Sequence, residues 1–93
     1  MRAIACDPRG IREADRPRYR ELVGRLRAAI RGTEELPDGF VYLVDAAMKG
    51  EDLAEWVELE KLCCPFLSFE VAEGRVVIRG PQGVKVILQA EIG

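Results

Sequence analysis

Glu60, Cys63 and Cys64 occupy positions i, i+3 and i+4 of one segment. At that spacing three side chains share one face of an α-helix. A carboxylate and two thiols then converge on one point, provided helical geometry persists to Cys64. Thiolate is the soft ligand that selects Zn, Cu(I), Hg or arsenite-like species, and carboxylate fills a further position. Cys6 supplies a third sulfur if the N-terminal segment folds back along the protein. Three thiolates suit a trigonal As(III), and three with Glu60 make a tetrahedral Zn site. The chain contains no histidine, so the mixed Cys/His zinc sites are excluded.

The competing reading of the same residues is packing, because free cysteine is among the most buried residue types and behaves as a small hydrophobe. The negative end of the helix dipole also disfavours a thiolate at a helix C-terminus. A disulfide between the adjacent Cys63 and Cys64 would need a strained ring and is not expected. Neighbouring residues on a helix diverge by about 100°, so one thiol is expected in the core and the other near the surface. An odd cysteine count with no export signal argues against a disulfide framework.

No other spacing supports catalysis. The chain lacks a G-x-S-x-G elbow, and Glu58 and Glu60, two apart, point away from each other on a helix. Arg79-Gly80-Pro81-Gln82-Gly83 has no Lys-Ser/Thr follow-on and reads as a turn before a helix rather than a phosphate loop. The expectation is a non-catalytic protein, and the further reading as a thiol redox enzyme needs an accessible cysteine of lowered pKa.

Three helices and two hairpins must position these residues. Tyr19, Leu22, Val23, Leu26, Ala29 and Ile30 form one helical stripe, with Asp15 as its cap, Pro17 in its first turn and Gly32 as its stop. Pro37-Asp38-Gly39 joins a short extended piece to Phe40–Val44, a hairpin signal. Asp52 with Glu55 three residues on marks a second helix. That helix carries Leu53, Trp56, Val57, Leu59 and Leu62, with Trp56 in the core register, and Pro65 ends it by forcing Cys64 out of helical dihedrals. A second hairpin turns at Glu73-Gly74, and the segment from Val84 to Ile92, whose pattern also suits a strand, is taken as a third helix because Pro81 precedes it.

The resulting order, α-ββ-α-ββ-α, predicts an α+β two-layer sandwich: a four-stranded antiparallel sheet of two hairpins with three helices on one face. Ninety-three residues form one domain, 1–93, with residues 1–12 as an extended N-terminal arm.

Composition narrows the function classes. Apolar residues make up 48% of the chain and charged residues 32%, enough for a core and inconsistent with a disordered tail. No apolar run reaches the ~20 residues of a membrane span, and no leader precedes the first elements; a cytoplasmic protein is expected. The net charge of −2 hides an asymmetry: residues 1–32 hold nine arginines against four acids, residues 33–93 five bases against twelve acids. Acids interspersed among the arginines favour a basic helix lying beside an acidic body, and with no aromatic interleaving a nucleic-acid partner is not expected.

The run from Leu59 through Glu60, Cys63, Cys64, Pro65, Phe66 and Phe69, followed by Gly80-Pro81-Gln82-Gly83, resembles a family of small uncharacterised bacterial proteins with an E-x-x-C-C-P-F-x-x-F signature. Cys6-Asp7-Pro8 and Leu36-Pro37-Asp38-Gly39-Phe40 are similar to the same family, and the likeness covers most of the chain. It implies soft-metal or metalloid handling through Glu60, Cys63, Cys64 and Cys6. One departure is Arg79, where the family resembles Thr before the glycine, which weakens the start of the last helix. The expected function is a thiolate site for a thiophilic ion such as Zn, Hg or As(III). The alternative is an interaction or homodimer module, whose uncovered sheet face is apolar and whose cysteines only pack.

Overall fold

A computed structural model describes residues 7–93. Its elements are α1 (Arg16–Ala29), β1 (Ile30–Leu36), β2 (Gly39–Val44), α2 (Gly50–Cys63), β3 (Ser68–Ala72), β4 (Arg75–Arg79) and α3 (Val84–Glu91). The four strands form one antiparallel sheet in the order β1-β2-β4-β3. The α-ββ-α-ββ-α order and the α+β class expected from the sequence are those of the structure, with α3 a helix.

Alternation along the strands decides which face is covered. Phe40, Tyr42 and Val44 of β2 and Val76 and Ile78 of β4 point into the core shared with the helices. The core's largest member is Trp56 of α2, fully buried and meeting Phe69 of β3 edge to face at 5.8 Å. Val41 and Val77 pair across the opposite face, flanked by Glu34 of β1 and Glu70 of β3. Val41 and Val77 are themselves buried, at 6% and 5% exposure, so this face does not present the continuous apolar surface expected of a dimer module.

The helix ends differ from the sequence expectations for identifiable reasons. α1 stops at Ala29 rather than running to Gly32, because Ile30 takes extended dihedrals (φ −70°, ψ 124°) and pairs with Val44. Strand pairing of a β-branched residue here overrides the helical stripe. Asp15 makes no side-chain cap; it accepts from Arg12 Nε at 2.9 Å. α2 begins at Gly50, and Asp52 and Glu55 do not form a capping box. Their carboxylates turn to α1 instead: Arg18 Nη2 donates to Asp52 at 3.1 Å and to Glu55 at 3.0 Å, and Arg25 Nη1 donates to Asp52 at 2.9 Å. The basic first helix therefore lies against an acidic second helix.

The extended arm expected for residues 1–12 is not extended in its described part. Residues Pro8–Gly10 form a 3-10 turn, and Asp7 N–H donates to the Cys63 carbonyl at 2.8 Å. This turn seals the end of α2, and it approaches so closely that a Cβ on Gly10 would lie 2.1 Å from the Leu62 carbonyl oxygen. Glycine is required there by space. No helix among the described residues is long and apolar enough to cross a membrane.

Candidate metal centre

The proline after Cys64 shapes the site. α2 ends at Cys63, and Cys64 adopts φ −128°, ψ 68° while its N–H still donates to the Glu60 carbonyl at 2.7 Å. Leaving the helix swings the Cys64 side chain inward, so the divergence expected of adjacent helical residues does not arise. Both cysteines are buried, Cys63 at 3% and Cys64 at 0% exposure. The expectation of one surface thiol is corrected on that ground.

Glu60 is 1% exposed, the one charged residue fully buried among the described residues. A buried carboxylate is costly unless donors meet it. Here Tyr19 of α1 donates its hydroxyl to Oε1 at 2.8 Å, and the Cys63 thiol donates to the same oxygen at 3.0 Å. The Cys64 sulfur lies 3.6 Å from that oxygen and 3.5 Å from the Cys63 sulfur. One ligand atom from each of Glu60, Cys63 and Cys64 falls within 4.8 Å of the other two. The spacing read from the sequence thus does bring these three together. Cys6, the fourth expected ligand, lies outside the described residues.

The two sulfurs differ in state. Cys63 is a free thiol, whereas Cys64 is held in a disulfide, against the expectation of reduced cysteines throughout. Burial pushes the Cys63 thiol up to about 12, with the hydrogen bond and charge of Glu60 adding to the rise. It is therefore neutral and unreactive near pH 7, and only a cation that displaces its proton would make it a thiolate. Burial, and then the Glu60 charge, also raise Tyr19 far above the ordinary phenol range, so its hydroxyl stays a donor.

The triangle of distances can be compared with a metal's needs. A tetrahedral ion with metal–sulfur bonds of ~2.3 Å and metal–oxygen bonds of ~2.0 Å requires ligand separations of roughly 3.5–3.8 Å. The sulfur–sulfur separation of 3.5 Å and the Cys64-to-Glu60 separation of 3.6 Å already lie in that range. The Cys63-to-Glu60 contact of 3.0 Å is an S–H hydrogen bond and opens by about half an ångström when an ion replaces the proton. A linear two-thiolate ion would need its sulfurs roughly 4.6 Å apart, which this pair does not offer.

Glu91, at the end of α3, was not singled out by the sequence. Burial and then the neighbouring Glu60 charge raise its carboxyl above the ordinary range. Its sequence neighbourhood carries no ligand spacing, so only the docking of α3 through Val84 and Leu88 discloses it. Comparison with protein-family models, with curated proteins and with solved structures finds no match to the chain.

Proposed function

We propose that the reduced protein is a small non-catalytic binder of a thiophilic ion, held by Glu60, Cys63 and Cys64. The observation that carries this reading is the convergence of one carboxylate oxygen and two sulfurs within 4.8 Å in the interior, at separations close to those of a tetrahedral shell. Cys64 enters the shell after its disulfide is reduced by a dithiol, which is itself oxidised to a disulfide as the protein gains two thiols. The ion then displaces the Cys63 proton to solvent. The likeness of the Glu60-to-Phe69 segment to the bacterial family points the same way, and Cys6 remains a proposed further sulfur.

The test is titration of the reduced full chain, purified without chelator, with Co(II) or Zn(II), followed by native mass spectrometry. A thiolate-to-metal charge-transfer band and a one-ion mass increment are expected in the wild type and lost in Cys63→Ser and Cys64→Ser. A band that never forms, or that survives both substitutions, ends the proposal.

A second reading, self-association through the outer sheet face, has the 37% exposed Leu43 in its favour, although Val41 and Val77 beside it are already buried. The flanking Glu34 and Glu70 count against it. A molecular mass that rises with concentration and ignores cysteine substitution would favour it.

A further inference from the structure

We propose that this centre is a redox switch: the disulfide at Cys64 closes it to ions, and a bound ion in turn holds Cys64 reduced. The inference rests on the ion-binding reading above and specifies how that site is regulated.

The geometry points to it through the contrast between the two sulfurs. They lie 3.5 Å apart, yet Cys63 is a free thiol and Cys64 is in a disulfide. The rest of the centre is already assembled in this oxidised state. Tyr19 donates to Glu60 Oε1 at 2.8 Å, Cys63 donates to the same oxygen at 3.0 Å, and the Cys64 sulfur waits 3.6 Å from it. What changes on reduction is therefore the chemical state of one sulfur already in place. A thiolate is the metal ligand, and a disulfide sulfur is neutral with both valences taken. Oxidised, the triad offers an ion one carboxylate and one thiolate, which is half of a tetrahedral shell.

The two states are also kept apart. A thiolate touching a disulfide sulfur attacks it, but the Cys63 proton is engaged with Glu60, and exchange would join adjacent residues in a strained ring. Switching therefore needs an external dithiol. The dithiol gives two electrons and two protons and closes to its own disulfide; the S–S bond of Cys64 breaks, and both its sulfurs leave as thiols. An arriving ion then displaces the protons of Cys63 and Cys64 to solvent. Because the ion binds one redox state in preference, linkage requires it to stabilise that state.

The test uses the full chain prepared oxidised and prepared reduced, titrated with Co(II). The reduced chain is expected to show the thiolate charge-transfer band. The oxidised chain is expected to lack it and to bind at least about a hundredfold more weakly, since even groups that only support ligands are worth about 10–100-fold. A second measurement reads the reciprocal effect. With free zinc at about ten times its dissociation constant, the reduced-to-oxidised ratio in a glutathione buffer should rise about tenfold. That is a reduction potential higher by about 30 mV. Cys63→Ser, which leaves the Cys64 disulfide in place, should abolish the zinc-dependent rise. Equal Co(II) binding by both redox states overturns the switch while leaving the ion site standing. So does a potential that ignores zinc, or a rise that persists in Cys63→Ser. Absence of any Cys63-dependent cobalt band in the reduced chain defeats the underlying ion-binding reading instead.

Discussion

Replacing Glu60 by glutamine separates a residue kept for ligation from one kept for stability. Glu60 is buried beside a second carboxylate, and Glu91 is raised from 4.5 to about 7 by burial first and by Glu60 second. At ~1.4 kcal/mol per pH unit, the whole displacement is worth at most about 3.5 kcal/mol. Burial takes the larger share, and solvent screening of a half-buried group reduces the rest, leaving about 1 kcal/mol for repulsion between the two carboxylates. The Glu60→Gln substitution would remove that repulsion, and the new amide N–H could donate to Glu91. It would give up the charge assistance in the Tyr19 hydrogen bond, about 1 kcal/mol. The balance predicts that Glu60→Gln is at least as stable as wild type at pH 8, and up to about 1 kcal/mol more stable. For a chain of this size that corresponds to a melting point higher by about 4–8 °C. At pH 5, where Glu91 is protonated, the repulsive part of the advantage disappears. Urea unfolding of both proteins at the two pH values, with reductant and chelator present, provides the measurement. A loss of 1 kcal/mol or more at pH 8 would refute the reasoning, because Glu60 would then be a structural anchor rather than a ligand carried at a cost. Ion binding by the same variant should be abolished.

Other expectations follow from the same geometry. Glu91 binds its proton more tightly folded than unfolded, so its contribution is fully present below about 4.5 and is lost as pH rises through about 7. Wild-type stability, measured without metal, should therefore fall by about 1–2 kcal/mol from pH 5 to pH 8, and Glu91→Gln should flatten that slope; a rising wild-type curve would contradict the assignment. The Asp7, Asp45 and Glu55 carboxyls are held low by arginine or backbone donors, so their effects lie below this window, and that of the Cys63 thiol lies above it. Tyr19→Phe removes the 2.8 Å donor to Glu60 and should cost about 1.5–3 kcal/mol in chemical denaturation; a cost under about 0.5 kcal/mol would mean the carboxylate is served by something else. Gly10→Ala places a Cβ against the Leu62 carbonyl and should destabilise by about 1–3 kcal/mol. Native iodoacetamide labelling of Cys63 in that variant should speed up, because the turn sealing the end of α2 is displaced. Gly24→Ala, where an added Cβ meets nothing within 4 Å, should instead stabilise α1 by about 0.5–1 kcal/mol in a melting experiment.

Local rules settled much of the architecture. The stripe from Tyr19 to Ala29, the Pro37-Asp38 and Glu73-Gly74 turns, and the helix stop before Pro65 are each consequences of a residue's own dihedral limits or of periodic apolar spacing, and all appear in the structure. The meeting of Glu60 and Cys63 was legible for the same reason, since a three-residue step on a helix brings side chains together whatever surrounds them; Cys64 joined them from outside the helix. Residue types alone also announced that the arginines of α1 would face an acidic partner. What local rules could not supply were quantities belonging to long-range contact. Ile30 joined the sheet instead of the helix because Val44, fourteen residues away, offered it a partner. Asp52 and Glu55 gave up a cap for arginines on another helix. The Cys64 sulfur turned inward because its backbone left the helix beside the sealing turn of residues 8–10. Glu91 joined Glu60 only through the docking of α3, thirty-one residues further along the chain. A spacing in sequence fixes a direction on one element, but burial, charge proximity and an unpartnered oxygen exist only between elements, and so only the assembled fold could decide them.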